Sequence, residues 1–370
     1  MTPVELSHTV LHAVRRAVDT GELRVAVPER VVVGPPGAGG CGDYATNVAL
    51  QLARSAGRPP LQVAQVLLPH LRQAEGVTDV VITGPGFLNI SLDARADAEL
   101  VRKILREGLR YGHCDALAGQ VLTLRVPYEV RAEVVADAVA RIVASQGGRV
   151  EISHGERSRN GRDAARADQP VARIVASQGG RVEISHGEHS RNGRDAARPD
   201  HPVVDLRPVP APEDPSALGP DAARWALLHP APHDRPRISA DLLVQGESNP
   251  LFRVRYAHAR TRALSRNAAD LGFGAEPGPL ENKDCGRLDA LLADHPRILA
   301  ASAAHRAPDR LARHLVTVAD AVLVLLPGVL PRGEEKPSAA HRARLALAEA
   351  AGTVLAGGLS LLGIDAPEHL

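Results

Sequence analysis

Residues 139–170 read VARIVASQGGRVEISHGERSRNGRDAARADQP, and residues 171–202 repeat them with three changes: Arg157 becomes His189, Ala167 becomes Pro199 and Gln169 becomes His201. The unit opens on an apolar stretch that reads as the end of a helix (VARIVAS). It turns at Gln-Gly-Gly and continues into a short strand (RVEIS). The tail that follows, HGERSRNGRDAARADQP in the first copy, has almost nothing to bury and is predicted to be a loop. A period of 32 residues suggests a solenoid, but stacked repeats need about three copies to close a core. Two near-identical copies indicate a recent tandem duplication, tolerated because lengthening a loop costs little entropy. His154 and Glu156, with their copies His186 and Glu188, have the chemistry of metal ligands or of an acid–base pair. Their place at the start of the polar tail predicts solvated loop residues instead.

Upstream of the repeat the chain alternates helices and strands. Thr2, Pro3 and Glu5 form a predicted N-cap, first helical residue and capping-box partner. Leu6, Val10, Val14, Ala17 and Val18 follow at helical spacing, and Gly21 ends the run. Helices are predicted over 45–56, stopped by Gly57 and Pro59, and over 60–71. Residues 77–82 read as a strand. Residues 87–92 alternate Leu88, Ile90 and Leu92 with Asn89 and Ser91, the pattern of a second strand with its polar residues toward solvent. With a helix over 94–109, residues 1–112 are expected to form one small α+β domain. Downstream of the repeat, 250–267, 287–295, 310–326 and 339–362 carry helical patterns separated by loops rich in Gly, Pro and charge, so 239–370 is expected to be a helical bundle. The expected fold class is mixed α/β: an N-terminal α+β domain (1–112), a reduced α/β segment holding the duplication (113–238) and an all-α bundle (239–370).

A chain of 370 residues, 44% apolar, is long enough for two or three domains with buried cores. Its 44 basic and 43 acidic residues give a net charge of +1, so any nucleic-acid-binding surface must be local. The basic residues are 41 arginines and three lysines, Lys103, Lys283 and Lys336. Cys41, Cys114 and Cys285 lie far apart with no CxxC pair, which argues against a disulfide framework and a cysteine zinc site, and no metal is expected. There is no basic-then-apolar leader pattern, and no apolar run comes close to the roughly 20 residues that span a bilayer; the nearest, Ala321–Leu326, ends at Pro327. A cytoplasmic chain with no membrane partner is expected.

Two further segments carry possible chemistry. Gly34-Pro-Pro-Gly-Ala-Gly-Gly-Cys41 nearly spells a phosphate-binding loop, but Gly40 and Cys41 stand where Lys and Ser/Thr would have to be, so a plain glycine loop is expected. Asn249-Pro-Leu-Phe-Arg-Val-Arg-Tyr-Ala-His-Ala-Arg260, with Arg262 and Arg266, is a basic helix carrying Phe252, Tyr256 and His258. Arginines meet phosphates and rings stack on bases, so the segment suits RNA. On a helical wheel Arg253 and Arg260 fall on one side and Arg255, Arg262 and Arg266 nearly opposite, giving two rows; the alternative is a charged helix in solvent. No HEXXH, GxSxG or kinase motif occurs, and no catalytic residue is predicted.

Three stretches, taken together, resemble arginyl-tRNA synthetase. Gly42-Asp-Tyr-Ala-Thr-Asn-Val-Ala49 with Leu50-Gln-Leu-Ala53 resembles the signature of that family's N-terminal additional domain, and Thr83-Gly-Pro-Gly-Phe-Leu-Asn-Ile90 the end of the same domain. Gly219-Pro-Asp-Ala-Ala-Arg-Trp225, Asn249-Pro250 and Tyr256-Ala-His-Ala-Arg260 resemble the junction into the DALR-type anticodon-binding domain, and Leu361-Leu-Gly-Ile-Asp-Ala-Pro-Glu368 its usual ending. The resemblance covers about 1–92 and 219–370. The family is a class I synthetase, whose core carries a HIGH-type motif and a KMSK-type loop; neither sequence occurs here, and 126 residues (93–218) separate the two matched regions. Val126–Ser153 is similar to the core's first strand, first helix and next strand with the HIGH segment excised between Pro127 and Arg131, while Pro208–Leu218 stands where the KMSK loop is expected.

The resemblance implies a core-deleted relative with a nucleotide-fold remnant. Arginyl-adenylate formation needs the missing histidines and lysine to stabilise charge on the phosphates. Where the family has an aromatic- and Asn-bearing helix facing the anticodon, this chain reads Val322-Leu-Val-Leu-Leu-Pro327, and aliphatic residues cannot supply stacking worth about 1–3 kcal/mol per base. Phe87 and Asn89 match the positions that touch the D-loop in the family. The implied partner is tRNA, arginine tRNA first, met by Phe87 and Asn89 and by the helix carrying Arg253, Arg255, Tyr256, His258, Arg260 and Arg262. Three functions stay open: tRNA binding without aminoacylation and with no cofactor; retained arginine–tRNA ligase activity, which alone would call for ATP and Mg; and a protein-interaction scaffold using Val322–Leu326, or a decaying relic.

Overall fold

In the computed structural model the first helix, α1 (Pro3–Asp19), is set by the predicted capping box: the Glu5 N–H donates to Thr2 Oγ1 (3.2 Å) and the Thr2 N–H to Glu5 Oε2 (2.8 Å). The structure describes residues 2–34, 36–37, 40–92, 94–154, 202–280 and 286–370. They fall into two compact units, one of residues 1–106, 268–297 and 327–348, the other of 107–267, 298–326 and 349–370.

The first unit holds a four-stranded antiparallel sheet in the order β1-β2-β4-β3, made of β1 (Val33–Gly34), β2 (Tyr44–Thr46), β3 (Val77–Thr83) and β4 (Phe87–Leu92). Helices α2 (Val48–Ala56), α3 (Pro60–Arg72) and α4 (Ala94–Glu107) accompany it. Leu6, Val10, Val14 and Ala17 of α1 are buried with Val48, Leu52, Val63, Leu67, Val80, Leu88 and Ile90 in one core. Lys103 on α4 reaches back to Glu5, 2.9 Å away. The helix expected from residue 45 begins at Val48, because Tyr44–Thr46 pairs with β4 (Tyr44 with Ile90, Thr46 with Leu88). The glycine-rich loop before it therefore runs into a strand, whereas a phosphate-binding loop must run into a helix N-terminus. The β3–β4 turn lies against the start of α3: Gly86 has φ +138°, and a Cβ there would sit 3.0 Å from the Pro60 carbonyl.

The second unit is built on a βαβ element. Strand β5 (Val121–Val126) is joined by α5 (Val130–Ser145) to the parallel strand β6 (Arg149–His154), and β7 (Val203–Asp205) pairs parallel to β5 on the other side, giving the order β6-β5-β7. The first copy of the repeat supplies the second half of α5 and all of β6; its tail from 155 and the second copy up to 201 lie outside the described residues. Among the described residues the further α-helices of the chain are α6 (Gly219–Leu228), α7 (Pro250–Asp270), α8 (Gly286–His305), α9 (Pro308–Leu325) and α10 (Ala339–Leu361), of which α7, α8 and α10 contribute residues to both units. Helix α8 passes through Pro296 and runs ten residues beyond its expected end at 295.

Among the described residues, Pro308–Gly328 is long and apolar enough to cross a membrane by length and composition, which the apolar-run reading did not anticipate. Its apolar side is engaged within the fold: Leu311, Leu315, Val318 and Val322 are fully buried. The same burial corrects the partner patch expected at Val322–Leu326. Val322 and Leu326 are core, Leu323 and Leu325 are half-buried, and Val324 alone of the five is exposed.

Arg131, in the first turn of α5, is completely buried. Its Nε donates to the Leu227 carbonyl (3.0 Å), Nη1 to those of Val209 (2.7 Å) and Asp234 (2.7 Å), and Nη2 to those of Pro230 (3.1 Å) and Ala231 (2.8 Å). All five guanidinium N–H donors thus meet backbone carbonyls. Burial pulls its pKa down, opposed by Glu129, Asp234 and Asp309. Two turns later Asp137 accepts from the buried Arg224 and from Arg141 (3.1 Å), and Arg224 also donates to the Leu362 carbonyl (2.9 Å). Arg131→Met removes five bonds and leaves buried carbonyls unsatisfied, each costing on the order of 1–3 kcal/mol. Urea unfolding is expected to show a loss of at least about 3 kcal/mol, while Arg149→Met at an exposed site leaves the midpoint nearly unchanged.

Candidate nucleotide-core and RNA-binding sites

In open parallel sheets ligands bind beyond the C-terminal ends of the strands, where the chain reverses its order. Here that point lies between β5 and β7. The β5–α5 connection is Pro127-Tyr128-Glu129 alone. The N–H groups at the start of α5 form the natural phosphate seat of such a fold, and the Glu129 carboxylate occupies it. Oε2 accepts from the Ala132 N–H (2.9 Å) and Oε1 from the Ala211 N–H (3.0 Å). An acidic side chain at that seat satisfies the donors a phosphate would use and repels the phosphate.

His154 closes β6 at the same edge. Its Nε2 lies 2.6 Å from Glu133 Oε1 and its ring stacks on Tyr128, centroids 4.8 Å apart. The expected solvated loop histidine is thus the end of a strand, paired and half-buried, because β6 extends one residue beyond RVEIS. Glu156, His186 and Glu188 lie outside the described residues. Among the described residues no group of three or more His, Cys, Asp or Glu side chains is placed to hold a metal.

Phe87 and Asn89 part company. Phe87, at the start of β4, is 40% exposed. Asn89 is buried, which corrects its reading as a solvent-facing residue or a direct RNA contact. Its Oδ1 accepts from the Cys41 N–H (3.3 Å), and its Nδ2 donates to Thr83 Oγ1 (2.7 Å) and the Val81 carbonyl (3.3 Å). Gly40 and Cys41 lie over this face of β4: a Cβ at Gly40 would meet Asn89 Oδ1 at 2.8 Å. Strand alternation alone could not reveal that cover.

Helix α7 buries Leu251, Val254, Ala257, Thr261 and Leu264, and this stripe decides the fate of its basic residues. Arg253 flanks it and pairs with Asp320 (2.9 Å); Arg255 faces Asp221 at 3.6 Å. Arg262 is exposed but bound to Glu368 (3.0 Å). His258 falls inside the stripe, 5% exposed, with Nδ1 donating to the Pro367 carbonyl (3.0 Å), so the expectation that it contacts RNA is corrected: it anchors the C-terminal segment. Tyr256 is exposed and stacks on Phe252, centroids 5.4 Å apart. Arg260, one turn on, is exposed and has no ion pair among the described residues.

A family model described as "Arginyl tRNA synthetase N terminal domain" matches residues 5–92, and one described as "DALR anticodon binding domain" matches residues 254–370. The chain belongs to the arginyl-tRNA synthetase family. A protein of Paenarthrobacter aurescens named "Arginine--tRNA ligase" is 28% identical over 550 aligned positions that span 100% of both chains. With 370 residues in this chain, about 180 of those positions have no counterpart here. A Renibacterium salmoninarum protein of the same name is 43% identical over 163 residues, 40% of this chain and 30% of that one. The Thermus thermophilus arginyl-tRNA synthetase structure shares the fold with a TM-score of 0.65 at 16% identity, covering 100% of both chains. That of Plasmodium falciparum gives 0.68 at 9% identity, covering 100% of this chain and 99% of the other.

Two stability tests follow from the placements. Asn89→Ala removes the buried amide's hydrogen bonds to the Cys41 N–H, Thr83 Oγ1 and the Val81 carbonyl and is expected to cost about 1–3 kcal/mol in urea unfolding, whereas Phe87→Ala stays within about 0.5 kcal/mol of wild type. Burial, followed in the same direction by Arg262, holds the His258 pKa below 6.5, against the raising effects of Pro367, Glu368 and Asp365. The unfolded imidazole therefore takes up its proton first as pH falls. The stability linked to His258 is complete above pH 6.5 and is lost as pH falls toward the lower folded value. Thermal unfolding between pH 7.5 and 5 is expected to show this loss, and His258→Asn to flatten it.

Proposed function

We propose that this chain binds tRNA without activating arginine. The observation that carries this reading is the sheet edge: three residues join β5 to α5, none a histidine, and Glu129 fills the helix N-terminus that would receive a nucleotide phosphate. No KMSK sequence follows in 208–218. The remnant keeps the β-α-β scaffold and lacks the groups that stabilise charge on transferring phosphates.

The RNA contacts fall to groups that remain exposed. Phe87 offers a ring for stacking, worth about 1–3 kcal/mol per base, and Asn89 holds the loop beside it in place. On α7, Tyr256 and Arg260 share one exposed side and supply a ring and an unpaired cation, while Arg262 can turn from Glu368 to a phosphate at modest cost because exposed pairs are weak. Arginine tRNA is the first candidate partner, and the cytoplasm the place of action.

Retained ligase activity is the second reading, favoured by full-length relatives named as arginine–tRNA ligases. Two measurements separate them. Purified protein titrated with arginine tRNA and an unrelated tRNA at two salt concentrations is expected to bind with a steep salt slope, and Phe87→Ala to weaken binding by roughly fivefold to a hundredfold with unchanged unfolding midpoint. Arginine-dependent ATP–pyrophosphate exchange is expected to stay at background. Exchange above background establishes the ligase reading; no binding to either tRNA at low salt removes the tRNA reading.

A further inference from the structure

A cavity of about 510 Å³ lies beside α6 in the second unit. It is lined by Trp225, His229, His233, Arg235, Arg237 and Arg313. Asp234 is the one acidic residue in the lining. Arg313 is paired with Asp309 (2.7 Å). Arg235 and Arg237 are exposed and have no ion pair among the described residues. Two exposed cations beside a single carboxylate in the lining create a local positive field. Burial first, and then Arg313 and Arg253, lower the His229 pKa from its ordinary value.

The cavity also has an aromatic element. His229 stacks on the buried Trp225, centroids 5.2 Å apart and planes 22° from parallel. The neighbouring wall is stiff. The carbonyls of Pro230, Ala231 and Asp234 are gripped by Arg131, the Asp234 N–H closes a turn onto Ala231 (2.9 Å), and the Val209 N–H donates to Pro232 (2.8 Å). Three prolines, Pro230, Pro232 and Pro236, restrict the same loop. A site that is formed before its ligand arrives loses little entropy on binding.

We propose that this cavity binds a nucleoside phosphate, its phosphate between Arg235 and Arg237 and its base against the His229–Trp225 stack. The volume suits such a ligand, and guanidinium groups hold phosphate through paired N–H donors. Two sources share this chemistry, a free mononucleotide and the terminal nucleotide of an RNA strand. The proposal is independent of the tRNA reading, since the sheet edge, Phe87 and α7's exposed side take no part in it.

Trp225 is the chain's single tryptophan, so its fluorescence reports this cavity directly. The full chain is titrated with AMP, adenosine, inorganic phosphate and a short single-stranded oligonucleotide bearing a 5′-phosphate. AMP and the oligonucleotide are expected to change Trp225 emission and to compete, with adenosine and inorganic phosphate each at least tenfold weaker. Arg235→Gln combined with Arg237→Gln, both exposed and outside the core, is expected to weaken AMP at least tenfold without moving the unfolding midpoint. His229, followed by NMR, is expected to titrate at higher pH when AMP is bound. Tighter AMP assigns the free nucleotide and tighter oligonucleotide the strand end, and either supports the site. The proposal is overturned by no response to AMP, by phosphate binding as well as AMP, or by equal affinities in wild type and the double variant.

Discussion

The second unit depends on one buried guanidinium. Arg131 sits in the first turn of α5 and satisfies five carbonyls drawn from three places in the chain: Val209, the end of α6 at Leu227, and the loop from Pro230 to Asp234. None of these segments forms regular structure with another, so their carbonyls would otherwise be buried without partners. A planar fork with five fixed donors answers that need, and a lysine, with three donors on a single point, could not. Asp137 repeats the device two turns later, joining α5 to α6 through Arg224 and, through Arg224, to the Leu362 carbonyl.

This anchoring holds the βαβ element together across a three-residue link. A shortened crossover could leave the N-terminus of α5 open to solvent with its N–H groups unmet. Glu129 closes it, capping Ala132 and holding Ala211. The same carboxylate that stabilises the helix start is the one that opposes a phosphate there. One carboxylate thus both caps the helix and sets the charge at the sheet edge.

Exposure on α7 follows the same economy of partners. The face toward the core selects Leu251, Val254, Ala257, Thr261 and Leu264, and the residues beside that stripe are drawn into ion pairs or carbonyl contacts. What remains outward without an ion pair to a neighbour is a ring at Tyr256 and a cation at Arg260, while the exposed Arg262 and Arg266 reach the C-terminal segment at Glu368. Phe87 on β4 is outward for a related reason: it begins the strand, beyond the cover that Gly40 and Cys41 lay over Asn89.

Local chemistry in the sequence determined the capping box at Thr2 and Glu5, the strands at 77 and 87, the helical C-terminal segment and the family resemblance, because each rests on neighbours within a few residues or on a motif kept intact. The mixed α/β class was legible for the same reason. Tertiary structure decided what depends on distant partners. Strand β2 replaced the start of a predicted helix because β4 supplied its hydrogen bonds. Asn89 and His258 went inside because Gly40–Cys41 and the C-terminal segment covered them, His154 became a paired strand end, and Val322 and Leu326 became core while Val324 stayed outside. Nothing in the sequence sets Arg131 apart from the other 40 arginines. Only the folded chain brings five carbonyls to it, since sequence periodicity records which face is apolar but not which polar backbone groups will be buried with no other donor.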